Sequence, residues 1–189
     1  MNGTQQNGLS GSVACLAETC GQSSKSEFVA QHRSPFLLQL TSSTDDAQAC
    51  PPADLEFGTI SLPPGKVAAH ADHDHRLFEL KKRGKNPFAD MVTVGRAANN
   101  DVVIPSPCVS KFHAFFRARP GGWVIVDAGS SNGTHLDGTL LRSATVHILD
   151  LARAPIALRF GSIACEIFSP DALWDYLQAL FGQHAPAIA

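Results

Sequence analysis

His113-Ala114-Phe115-Phe116-Arg117-Ala118, the turn Arg119-Pro120-Gly121-Gly122, and Trp123-Val124-Ile125-Val126-Asp127-Ala128 read as one β-hairpin. Both arms are rich in β-branched and aromatic residues, which suit a pleated, half-buried surface. Pro-Gly-Gly supplies a fixed φ followed by residues free to take positive φ, as a tight reversal needs. The same texture extends in both directions. Short β-rich runs at Leu77–Lys81, Met91–Val94, Asp101–Ile104, Thr145–Leu149, Ile156–Phe160 and Ile163–Phe168 follow one another, with turn residues between them and no helical period. Such spacing predicts an all-β sandwich or barrel over residues 76–168.

The ends of the chain read differently. Ser169 is a good N-cap, Pro170 suits the first helical position, and Asp171 favours the positive end of the dipole. Leu173, Leu177, Leu180 and Phe181 recur at helical spacing with Trp174 beside them, and Gly182 is a natural stop. Residues 169–189 are therefore expected to form a C-terminal α-helix and tail, the helix packed on its own domain. Residues 1–75 carry the composition of a disordered, acidic arm and linker. Within them the apolar patch Phe36–Leu40 reads as a docking segment or a short helix, and Phe57–Leu62 has some strand character.

Charge divides along the same boundary. Residues 1–75 hold three bases against eight acids, a net charge of −5, whereas residues 76–168 hold twelve bases against seven acids, a net charge of +5. A basic module on an acidic arm is suited to an anionic ligand. Five cysteines (Cys15, Cys20, Cys50, Cys108 and Cys165) are scattered with no CxxC pair, and no stretch approaches the roughly 20 apolar residues of a membrane helix. The start lacks the basic and apolar regions of a secretory signal. The expectation is a cytoplasmic protein with reduced thiols.

Four motifs recur in fixed order inside the β-rich region: Gly95-Arg96 after the strand Val92-Thr93-Val94, Asn100-Asp101 before Val102-Val103-Ile104, Ser110-Lys111-Phe112-His113 at the hairpin's start, and Ser130-Ser131-Asn132-Gly133-Thr134 after its second strand. Each is weak alone, but the ordered set resembles the signature of the forkhead-associated (FHA) family. The resemblance covers about half the chain and implies an FHA-type β-sandwich that binds a phosphothreonine-containing protein. A phosphorylated threonine presents nearly two negative charges and three acceptor oxygens, which call for a cation and several donors converging from loops on a rigid scaffold.

By the same resemblance, Arg96 is the principal phosphate ligand and Ser110 donates its hydroxyl to a phosphate oxygen. Lys111 is balanced between a second phosphate contact and a solvated charge. Ser131 contacts the phosphate or the peptide backbone. Asn132 holds the peptide main chain in the loop that reads the residue three beyond the phosphothreonine. Gly95, His113 and Gly133 are architectural, and Asn100 and Asp101 read as turn formers. The family's late Asp-Gly-Asp turn is missing after Leu141, which leaves strand register there open.

Other chemistries fit less well. Ser110, His113 and Asp127 lack a Gly-x-Ser-x-Gly elbow, so no catalysis is expected. The run His70-Ala71-Asp72-His73-Asp74-His75 follows a Pro/Gly/Ala linker instead of a rigid strand end, so neither a metal site nor a cofactor is expected. The bases are dispersed and lack interleaved aromatics, which argues against nucleic acid, and no membrane partner is implied. The leading expectation is a phosphothreonine-dependent adaptor in kinase signalling, and the alternative is a phosphate-independent interaction scaffold on the same sandwich. Thr41 and Thr44 lie in an acidic, polar stretch of the arm and are candidates for phosphorylation and capture by the chain's own site.

Overall fold

The computed structural model describes residues 10–13, 16, 23–40 and 75–181. Two sheets face each other. Strands β1 (Ser10–Ser12), β2 (Phe36–Gln39), β3 (Arg76–Glu79), β8 (Thr134–Leu136), β9 (Thr139–Leu140), β11 (Ile156–Phe160) and β12 (Ile163–Phe168) form the larger sheet, in the order β1-β3-β2-β12-β11-β8-β9. The smaller sheet comprises β4 (Val92–Gly95), β5 (Val102–Val103), β6 (Ala114–Arg119), β7 (Gly122–Asp127) and β10 (His147–Leu149), ordered β10-β7-β6-β4-β5. The hairpin expected at residues 113–128 is β6–β7, paired from Ala114↔Asp127 to Arg119↔Gly122. Gly121 takes positive φ in its turn, as anticipated, and Gly122 does so at the start of β7.

The arm departs from expectation. Phe36–Gln39 is neither a docking segment nor a helix: it is a strand hydrogen-bonded to β3 on one side and to β12 on the other. Its unbroken apolar run follows from burial on both faces. Leu37 points into the core between the sheets, while Phe36 and Leu38 point away into a second apolar cluster. A strand buried on both sides has no polar alternation and cannot be told from a helix by periodicity. The loosely ordered segment expected across residues 1–75 is thus corrected, since an integral strand of the sandwich precedes residue 76.

Among the described residues, helices cover that second face. Helix α1 (Lys25–Gln31) starts at Ser24, whose hydroxyl accepts the Glu27 N–H while the Glu27 carboxylate accepts the Ser24 N–H. This reciprocal capping, with Phe28 buried in the second cluster, orders a stretch whose composition reads as disordered. Helix α2 (Pro170–Phe181) begins as expected, with Ser169 Oγ accepting the Ala172 N–H at 3.2 Å. It buries Leu173, Trp174 and Leu177 against Phe28, Phe36, Leu38, Leu77 and Phe168. Each such side chain contributes about 1.5–3 kcal/mol on burial. Lys25 of α1 joins Asp171 and Asp175 of α2 at 3.1 and 2.8 Å.

After Leu141 the register is regular. β11 pairs with β12 without a break from Ile156↔Ile167 to Phe160↔Ile163, and Gly161 at φ +60° makes the turn. The pair β8–β9 was not anticipated. Its reversal, Asp137-Gly138, has φ of +48° and +80°, the double positive φ of a type I′ hairpin. Cys108 is disulfide-bonded, contrary to the reduced thiols expected, whereas Cys165 is free and buried. Scattered cysteines give no local sign of pairing. Thr41, Thr44, Phe57–Leu62, His70–Asp74 and Gly182 lie outside the described residues.

Candidate functional site

Because β4, β6 and β7 run antiparallel in turn, the end of β4, the start of β6 and the end of β7 meet at one end of the smaller sheet. The three loops there carry all five residues named as ligands, and each loop is tied to its neighbour. Gly95 lets the first two approach: a Cβ in its place would stand 2.4 Å from the Lys111 carbonyl oxygen. The Arg96 N–H donates to the Ser110 carbonyl at 3.0 Å and the Ala97 N–H to the Lys111 carbonyl at 3.3 Å. Asn100, buried, closes the seam by donating its side-chain amide to the carbonyls of Ala97 (2.9 Å) and Lys111 (2.7 Å).

His113 joins the second loop to the third. Its Nδ1 accepts the Ser110 N–H at 3.0 Å, so the proton resides on Nε2, which donates to the Gly133 carbonyl at 3.1 Å. The ring is fully buried and edge-on to Phe160, and burial lowers its pKa, favouring the neutral form this arrangement needs. Gly133, at φ +74°, takes a conformation open to few other residues. Within the third loop, the Asp127 carboxylate accepts the N–H groups of Gly129 and Ser130 and the hydroxyls of Ser130 and Thr134. Burial alone would raise its pKa, but these four donors outweigh it and hold the carboxylate ionised.

What this frame leaves outward is polar and cationic. Ser110 Oγ accepts the Ser131 N–H at 3.0 Å and lies 3.4 Å from Ser131 Oγ, so the two hydroxyls sit side by side. Arg96 and Lys111, on adjoining loops, are exposed, and their charged groups have no ion-pair partner among the described residues. Two unpaired cations beside two hydroxyls on a braced platform can receive a multiply charged oxyanion. Asn132 is exposed, and its amide donates to the Cys108 carbonyl at 2.9 Å, which fixes the third loop against the second.

Asn100 and Asp101 are corrected from turn formers to buried anchors. Asp101 accepts the Thr93 N–H (2.9 Å) and hydroxyl (3.0 Å), the Arg83 N–H (2.8 Å) and the Lys82 ammonium (2.9 Å). Burial opposes its ionisation, but these donors prevail and its pKa falls to about 2. Both residues stood in the motif, yet nothing in their spacing revealed burial. Ser110, His113 and Asp127 do not form a catalytic relay: His113 takes the backbone N–H of Ser110, and Asp127 bonds Ser130 and Thr134 instead of His113. Among the described residues no group of His, Cys, Asp or Glu is placed to hold a metal, and no helix is long and apolar enough to cross a membrane.

A family model for the FHA domain matches residues 92–151, the stretch that carries all three loops. The chain carries an FHA domain. Strands β1–β3, β11 and β12 lie outside the match, so the FHA signature covers the smaller sheet and the site more than the larger sheet. Among curated proteins, the chain is 31% identical over 111 residues to the oxoglutarate dehydrogenase inhibitor of Corynebacterium glutamicum, covering 56% of this chain and 66% of that one. It is 43% identical over 76 residues to an ABC transporter ATP-binding/permease protein of Mycobacterium tuberculosis, covering 39% of this chain and 9% of that one. The match therefore spans less than two thirds of either relative. Among solved structures, the FHA-2 domain of a Mycobacterium tuberculosis ABC transporter aligns with a TM-score of 0.35 and 32% identity, covering 44% of this chain and 71% of that one.

Proposed function

We propose that this chain is a phosphothreonine-dependent protein-binding adaptor in protein-kinase signalling, acting by binding and not by catalysis. The observation that carries the reading is the pairing of two unpartnered cations, Arg96 and Lys111, with the Ser110 and Ser131 hydroxyls on loops locked by Asn100 and His113. In this reading Arg96 binds the phosphate, Ser110 donates to one oxygen, and Lys111 and Ser131 complete the cradle. The Asn132 amide serves the peptide main chain, and Gly95, His113 and Gly133 set the platform. Isothermal titration with matched phosphothreonine and unmodified peptides tests it. Binding of the phosphorylated form alone supports the adaptor, and equal binding of both supports the phosphate-independent scaffold instead.

Two finer points belong to the same proposal. Thr41 or Thr44, once phosphorylated, would compete from within the chain at high effective concentration. Stoichiometric phosphorylation of the arm should then weaken an external phosphopeptide, and Thr41→Ala with Thr44→Ala should restore it. The protein is assigned to the cytoplasm because kinase signalling operates there. The disulfide at Cys108 weighs the other way, since such bonds persist in oxidising compartments. Alkylation of thiols in intact cells, followed by mass spectrometry, decides between them.

A further inference from the structure

The connection between β3 and β4 holds Lys81-Lys82-Arg83-Gly84-Lys85, four cations in five residues. Two are paired with buried carboxylates: Lys81 with Glu79 at 2.6 Å and Lys82 with Asp101 at 2.9 Å. The side chains of Arg83 and Lys85 have no partner among the described residues, and Lys85 is exposed. Although the segment is irregular, it is pinned along its length. The Asp101 side chain, wholly buried, accepts from Lys82, from the Arg83 backbone and from the Asn86 amide at 3.1 Å. The same Asn86 amide donates to Thr93 Oγ1 at 3.0 Å and to the Asn99 carbonyl at 3.1 Å. Gly84, at φ +69°, turns the chain between the two free cations. A loop already ordered loses less conformational freedom when a ligand settles on it.

The position of this loop gives its charges a direction. Strand order β7-β6-β4-β5 sets the loops in a row: Ser131 and Asn132 first, then Ser110 and Lys111, then Arg96, then Asn99 to Asp101. The cationic loop is hydrogen-bonded to the last of these. The backbone of this loop thus lies on the β5 side of the Arg96 loop, and Asn132 lies on the β7 side. If Asn132 serves the residues after the phosphothreonine, those before it run toward the cationic loop.

We propose that Arg83 and Lys85 form a subsite selecting acidic side chains on the N-terminal side of the phosphothreonine. The inference rests on the phosphothreonine reading above and names the class of peptide that its site prefers. Two exposed charge pairs of ordinary strength correspond to about threefold to tenfold in affinity, and the preference shrinks as salt rises.

Fluorescence anisotropy with three labelled phosphothreonine peptides provides the test: one neutral, one with two aspartates before the phosphothreonine, and one with two aspartates after it. The parent protein should bind the second about threefold to tenfold more tightly than the first. Arg83→Ala with Lys85→Ala, shown by its melting curve to be folded, should lose that gap and bind the neutral peptide as the parent does. Arg83→Glu with Lys85→Glu should disfavour the second peptide. Equal affinity for the first two peptides, or a preference for the third, overturns the subsite while leaving the phosphothreonine site standing. A double alanine variant that weakens the neutral peptide equally also overturns it. Failure of all three peptides to bind the parent instead overturns the underlying reading and the subsite with it.

Discussion

The loop end of the smaller sheet and the helix-covered face of the larger sheet differ in what holds them together. At the loop end, the fixed geometry comes from buried polar groups with nearly every donor assigned: Asn100, His113 and Asp127 each bridge segments through two or more hydrogen bonds. On the helical face the joints are aromatic and aliphatic, with Phe28 5.4 Å from Trp174 and Phe168 4.9 Å from Tyr176. Apolar packing is strong but non-directional, whereas hydrogen bonds set orientation at modest net energy. A binding platform needs orientation, and a cover over a sheet needs burial. Substitutions in the two regions should therefore separate affinity from stability.

Phe36→Ala should break that separation most forcefully, because Phe36 is 1% exposed and lies between the two helices and the sheet. A loss of about 3–5 kcal/mol of folding stability is expected in urea titrations. The fraction that remains folded should bind phosphopeptide as the parent does, since no bond joins Phe36 to the loops. Weakened binding by folded protein would show that the two regions are coupled.

Arg96→Ala is the converse. About 1.5–3 kcal/mol of phosphopeptide affinity should disappear, the range for a hydrogen bond to a charged group, with the melting temperature unchanged. Its exposed side chain contributes little to the core. A folded Arg96→Ala protein with parental affinity would remove Arg96 from the site.

Asp101 sharpens the comparison through pH. Its pKa of about 2 lies below the ordinary 3.8, so the stability it contributes is complete above about pH 4 and lost as pH falls through about 2. The difference corresponds to about 2 kcal/mol. Chemical denaturation across that window should show the decline in the parent and a flatter profile in Asp101→Asn. His113 acts in the same direction at higher pH: its lowered pKa makes stability fall as pH drops below about 6.5.

Lys25→Ala should have the smallest effect. Its ion pairs with Asp171 and Asp175 join the two helices across 150 residues of chain, but they are exposed. The urea midpoint should barely move in the same titration. A larger loss would mean that charge, and not burial, holds the helical face.

Arg96, Ser110, Lys111, Ser131 and Asn132 could be placed on loops from sequence because strand ends and turn residues announce themselves over a few positions. The hairpin β6–β7, the strands β11 and β12 and the cap of α2 were legible for the same reason. Strand β2 was not, since an apolar run buried on both faces has no period to read. Nor was the depth of Asn100 and Asp101, whose partners Lys111, Arg83 and Lys82 are distant in sequence.

By itself the sequence determined the β-rich architecture, the order of the four loop motifs, the C-terminal helix and the excess of positive charge in the module. These depend on local conformational preference and composition, which a short window of residues contains. Only the tertiary structure decided that a strand before residue 76 joins the larger sheet, and that Asp101 ties down the cationic loop between β3 and β4. It also decided that His113 is a neutral brace between Ser110 and Gly133. Each of these depends on which distant groups become neighbours when water is excluded, and burial, hydrogen-bond partner and charge state are set together at that step.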